Sequence, residues 1–139
     1  MSEASTPRGY VPRTTGNDRE FFRATLFGGL HLQTCQDCGH RQHPPRYLCA
    51  ACHSKALDFQ PASGKGRVLT FTVTHATRDR GWTDHVPYGT ALVETDEGPR
   101  IVTAWRGTRE ELRPGVRVRV DIDPINEEFG LLWAAPDRD

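Results

Sequence analysis

Four cysteines carry the most specific chemistry in this chain. Cys35 and Cys38 form one C-x2-C pair, ten residues follow, and Cys49 and Cys52 form a second. Each pair places two sulfurs on one tight turn, and two such turns close a tetrahedron, the geometry in which zinc takes thiolate ligands. Gly39 follows the first pair directly, where a knuckle needs a residue that tolerates positive φ. The gap is shorter than in the commonest ribbons and suits a small rubredoxin-like ribbon. A redox-active pair is the competing reading, but a thioredoxin-type C-x-x-C follows a strand in an α/β pattern, which this sequence lacks. In a reducing compartment the four remain thiols rather than disulfides. Four thiolates fill zinc's coordination sphere, so the expected Zn2+ is structural, since catalytic zinc keeps an open position. His40, His43 and His53 are near enough to replace a cysteine and are read as ribbon-surface residues.

Other residues could do chemistry and are weaker candidates. His75, Asp79, Asp84 and His85 lie in or beside a polar loop over residues 76–87. They have the types of an acid–base pair or a metal site. No nucleophile with an adjacent base accompanies them, so the loop reads as solvated and no catalytic residue is assigned. Phe21, Phe22 and Phe27 crowd one short helix. Three phenylalanines either dock on the chain's own core or form an apolar face for another protein.

The elements that must position these residues follow from pattern. Residues 1–16 are rich in Ser, Thr, Pro and Gly and read as a flexible arm or extended segment. Asn17 or Asp18 is placed to cap a helix within 17–29, which Gly28-Gly29 ends. A ribbon is expected over 30–60, with strands at Leu30–Gln33 and Ala56–Gln60 around a Pro-Pro loop. Residues 61–139 then read as all-β. Strands are expected at Gly66–His75, Tyr88–Glu94, Arg100–Trp105, Val116–Ile122 and Phe129–Ala134. The cleanest alternation puts Val116, Val118, Val120 and Ile122 inward and Arg117, Arg119 and Asp121 outward. A short helix or turn is expected at Gly107–Arg113. About five strands in this span fit a closed barrel of OB type, so the fold class is mainly β: an N-terminal helix, a rubredoxin-like ribbon and a five-stranded OB barrel. Gly64 and Gly66 bracket the turn into that barrel, where a side chain would obstruct the bend.

Composition narrows the function classes. The chain has 139 residues, with Lys+Arg and Asp+Glu at 18 each, so formal net charge is zero. That argues against a surface built for nucleic acid or an anionic membrane, and 9% aromatics is sparse for a base-stacking groove. The apolar fraction of 36% implies a modest core that a metal staple or a partner would help. No apolar run approaches the roughly 20 residues of a membrane span, and residues 1–13 lack a signal-peptide core. A soluble, cytoplasmic protein is the expectation.

Read in order, DREFFRATLFGGLHLQTC, CQDCGHRQHPPRYLCAAC, SGKGRVLTFTVTH, VPYGTALVETDEGPRIVTAW and LRPGVRVRVDI resemble a known family. It is the bacterial and archaeal zinc-ribbon/OB-fold proteins, long catalogued as a domain of unknown function, that accompany acyl-CoA enzymes. The resemblance runs from about Asn17 to Ala134. It implies a non-catalytic subunit bound to a thiolase-like enzyme, such as a steroid side-chain aldolase or a β-ketothiolase. Complexes with an acyltransferase or an enoyl-CoA hydratase are the alternative, and a single-stranded nucleic-acid-binding OB protein is a further one. It also implies support for a CoA passage. CoA carries phosphates and arginine suits them, so Arg41, Arg46 and Arg67 are candidate CoA contacts. Solvated faces and genomic base composition are the more ordinary explanation of such arginines. Phe21, Phe22 and Phe27 are the matching candidates for a partner interface.

Overall fold

A computed structural model describes residues 9–138. The expected arm therefore lies partly outside the described residues, over 1–8. Its described part is tied down, not free. The Tyr10 amide donates to Asp79 at 3.2 Å, and the buried Thr14 hydroxyl donates to the Glu128 carbonyl at 3.4 Å. With Thr14 anchored, the chain turns at once. Gly16, at φ 56°, lets helix α1 (Gly16–Gly28) begin with Thr15 in the capping position. Asn17 and Asp18 are therefore inside the first turn rather than capping it, and Asp18 there still complements the helix dipole. Gly29 ends the helix at φ 79°.

The ribbon is a three-stranded antiparallel sheet. Strand β1 (His31–Cys35) is central, between β2 (Arg41–Gln42) and β3 (Leu57–Pro61). The barrel that follows is closed, in the order β4-β5-β6-β8-β7. Its strands are β4 (Lys65–Thr74), β5 (Tyr88–Thr95), β6 (Arg100–Trp105), β7 (Arg117–Pro124) and β8 (Gly130–Pro136). Alternation builds them as expected, and Val118 and Val120 are buried while Arg117, Arg119 and Asp121 face water. One register break escapes the pattern. A bulge between Val68 and Thr70 switches the inward face of β4 from Gly66 and Val68 to Phe71 and Val73. Closure is narrow at one seam. β6 meets β8 in parallel only at Ala104↔Trp133 and Trp105↔Ala134, so residues 100–103 and 130–132 have no ladder partner across that gap.

The segment between β6 and β7 forms turns rather than a helix, and it drops fully buried Leu112 into the barrel. The core does not stop at the linker. Phe21 and Leu30 join Val68, Val93, Ile101, Trp105 and Val118 in one cluster. Helix α1 connects the two sheets through adjacent rings. Phe21 packs on His43 and Phe59 of the ribbon at 5.0 and 6.3 Å between centroids, and Phe22 packs on Phe129 of the barrel at 4.9 Å.

Candidate metal centre and the cleft beside it

The two C-x2-C turns are built alike. In the first, the Gly39 amide donates to the Cys35 carbonyl and the Cys35 amide to the His40 carbonyl, both at 2.9 Å. In the second, His53 donates to Cys49 and Cys49 to Ser54, again at 2.9 Å. Both turns pass through a left-handed residue at the same place, Gly39 at φ 79° and His53 at φ 63°. The result brings four sulfurs within 4.8 Å of one another. Cys35 Sγ lies 3.6 Å from Cys52 Sγ, and Cys38 Sγ lies 3.6 Å from Cys49 Sγ. Sulfurs about 2.3 Å from a tetrahedral zinc would lie ~3.8 Å apart, so the spacing fits that ion.

The electrostatics point the same way. The backbone N–H of Cys38 draws the Cys35 thiol down to about 7. The Ser54 N–H favours the Cys52 thiolate, but desolvation and the three neighbouring thiols outweigh it and push Cys52 up to about 12. Four thiolates this close repel one another, and a dication is the charge that lets all four ionise together. None of the three candidate histidines joins the cluster among the described residues. His40 is exposed, His53 serves as the left-handed turn residue, and burial lowers the pKa of His43 beside Phe21.

Sequence reading missed the groups that hold the loop between the knuckles. Gln33 and Gln42 face each other across β1 and β2, and both are buried. The Gln42 amide donates to the Gln33 carbonyl oxygen at 2.7 Å and to the Leu48 carbonyl at 3.1 Å. Gln33 accepts from the Arg46 amide at 2.8 Å and donates to the Arg46 carbonyl at 2.9 Å. Gln42 accepts from the Ala50 amide at 2.8 Å. The only available signal was indirect: a Pro-Pro loop offers few backbone partners, so side chains must supply them.

The remaining candidates are placed unevenly. Arg41 and Arg46 line one cleft of about 630 Å³ between the ribbon and the β5–β6 turn, together with His40, His43 and Glu97. Arg67 does not join them. It follows inward-facing Gly66 on β4, so alternation turns it outward, where it bonds Glu94 at 2.9 Å. Phe21 is not a partner-facing residue either, because packing against ribbon and barrel leaves it 3% exposed. Phe22 is half-buried on Phe129, and Phe27 alone of the three is open, at 84% exposure. The loop candidates have separate duties. Asp79 accepts from the Gly81 and Tyr10 amides, Asp84 is exposed in a single 3-10 turn, and His85 lies beside Trp82. Trp82 in turn packs on Tyr88 at 4.5 Å.

Comparison with known proteins agrees with this geometry. Residues 28–58 match the family model described as the ChsH2 rubredoxin-like zinc ribbon domain, and residues 59–123 match the ChsH2 C-terminal OB-fold domain. A DUF35 domain-containing scaffold protein of Pyrococcus furiosus is 33% identical over 88% of this chain and 86% of its own length. A probable enoyl-CoA hydratase alpha subunit of Thermomonospora curvata is 36% identical over 90% of this chain, which spans only 40% of that protein. Among solved structures, a chain of the Ltp2-ChsH2(DUF35) aldolase superposes with a TM-score of 0.81 at 30% identity, covering 91% of this chain and 98% of that one.

Proposed function

The chain belongs to the ChsH2-type DUF35 family of zinc-ribbon and OB-fold proteins, and on that premise we propose that it is a non-catalytic accessory subunit of a thiolase-fold enzyme that acts on an acyl-CoA. The observation that carries this reading is the likeness, over nearly its whole length, to a chain of an aldolase complex. A retro-aldolase or thiolase, as in steroid side-chain degradation, is the partner that fits. The partner supplies the nucleophile and the acid–base groups. This chain orders the entrance to that active site from the cytoplasm, where its thiols stay reduced.

Cys35, Cys38, Cys49 and Cys52 would hold one structural zinc, whose bonds would tie the two knuckles together. Their all-sulfur donor set and 3.6 Å contacts support that ion. Arg41 and Arg46 offer guanidinium groups to CoA phosphates along the ribbon–barrel cleft. Arg67, engaged with Glu94, is left out of that role. Phe27 offers an open apolar contact to the enzyme.

Affinity purification of the tagged chain from its own cells, with mass spectrometry, tests the proposal. A thiolase-fold enzyme in stoichiometric amount is expected. An isolated chain that turned over an acyl-CoA unaided would overturn it. A hydratase partner is the second reading, favoured by the likeness to a hydratase alpha subunit, and the same experiment separates the two. Salt-dependent binding to single-stranded nucleic acid would redirect the reading altogether.

A further inference from the structure

The loop from His43 to Leu48 hangs between the metal knuckles, and two buried side chains hold it. We infer that Gln33 and Gln42 are positioning residues through which a filled four-cysteine site fixes the exposed tip Arg46–Leu48 for contact with a partner; this rests on the zinc and partner readings above. Gln33 precedes Cys35 by two residues, and Gln42 follows Cys38 by four. They face each other in register on the strands that flank the first knuckle. Their bonds to the Arg46 amide and carbonyl, the Leu48 carbonyl and the Ala50 amide bring that knuckle's strands onto the loop that runs into Cys49. Both glutamine oxygens and both nitrogens are used, and the two residues are only 3% and 6% exposed. An amide pair so buried tolerates little displacement, because any shift strands a polar group away from water.

What the pair presents has the makings of a contact. Tyr47 is 80% exposed and Leu48 is 42% exposed. Arg46 lines both the 630 Å³ cleft and a second one of about 420 Å³. Tyrosine and arginine are the types that concentrate binding energy at interfaces. A tip already held in place loses little freedom when a partner covers it, so its contacts convert more fully into affinity. Without the metal the two knuckles keep hydrogen bonds such as Gln36 amide to Ala56 carbonyl and Ser54 hydroxyl to Asp37, but the loop between them loses the sulfur–metal bonds that would stiffen the frame its own hydrogen bonds require.

Hydrogen–deuterium exchange on the full chain tests this, read at single amides. The zinc-loaded chain is compared with the chelator-stripped chain and with Gln42→Met, which keeps the length of the side chain but none of its polar atoms. We expect the Arg46 and Ala50 amides to exchange about tenfold faster or more in Gln42→Met, with β5 amides unchanged and one zinc retained. Stripping the wild type should accelerate the same two amides, and by more than it accelerates β5. Unchanged exchange at Arg46 and Ala50 in the variant overturns the inference. So does protection that survives zinc removal, or acceleration shared equally by β5, which marks a general loss of stability. If Gln42→Met does not fold, Gln33→Met, which removes the acceptor of the Arg46 amide, is read at that amide by the same criteria. A wild-type chain that binds no zinc overturns the metal reading and the metal-coupled part of this one together, while the ratio of variant to wild type still decides whether the glutamines hold the tip.

Discussion

Single residues set how easily the two knuckles form. His53 takes a left-handed conformation that glycine takes at Gly39, and it is exposed, so its side chain has little packing to lose. The conformation costs a non-glycine residue roughly 1–2 kcal/mol, and glycine returns part of that gain as unfolded-chain entropy. His53→Gly should therefore leave the unfolding free energy of the zinc-loaded chain, read from a urea melt, unchanged or raise it by up to about 1 kcal/mol. His53→Val, with a branched β-carbon, should lower stability by about 1–2 kcal/mol or more and weaken zinc in a chelator competition. The phenylalanines of α1 divide by burial in the same way. Phe21→Ala should cost about 3–5 kcal/mol in a denaturant melt. Phe27→Ala should change that melt by less than about 0.5 kcal/mol yet reduce recovery of the partner enzyme. Equal effects in the melt would contradict the burial described for the two rings.

At the scale of elements, the entry to the barrel depends on close backbone approach. A β-carbon on Gly66 would collide with the carbonyl oxygen of Glu94 on β5 and stand 2.9 Å from the Val93 side chain. The oxygen belongs to a paired strand and cannot move alone. Gly66→Ala should thus lower stability by about 1–3 kcal/mol, as overpacking does, while Gly98→Ala, in an open turn at φ 114°, pays only for its backbone. Thermal melts of the two variants check the order. That Gly66 must lack a side chain was legible in the sequence, but the obstacle is the β5 backbone beside a strand residue rather than a bend; β6 and β7 were legible because strands with one face buried alternate with period two. The bulge after Val68 was not, since Val68, Leu69 and Phe71 are all apolar and either face could have been the inner one. The sulfur cluster was legible from spacing alone. The glutamines that frame its loop were not, because Gln33 bonds Arg46, thirteen residues away, through a fold that local pattern does not encode. Arg67 misled for a related reason: its distance along the chain from Arg41 and Arg46 says nothing about which way its strand turns it.

The whole molecule is joined by α1, whose adjacent rings Phe21 and Phe22 pack on His43 of the ribbon and Phe129 of the barrel, with Phe21 also in the barrel's core cluster. A ribbon loosened by metal removal should therefore weaken the barrel as well. The three tryptophans, Trp82, Trp105 and Trp133, all lie beyond the ribbon, so their fluorescence follows barrel unfolding. Chelation should lower the melting temperature read from that signal by several degrees, since about 1 kcal/mol shifts a domain of this size by a few degrees. A tryptophan transition that does not move after the metal is removed would show that the helix transmits nothing. The incomplete seam between β6 and β8 has its own consequence. Residues 100–103 and 130–132 border a hollow lined by Phe22, Trp82, Val102, Phe129 and Leu131, and Val102 there is 64% exposed. An unpaired strand edge beside apolar side chains invites pairing between copies. The practical result falls on production of the protein: made alone at high concentration it should drift toward aggregates, and co-expression with an enzyme that shields this edge should raise the soluble yield.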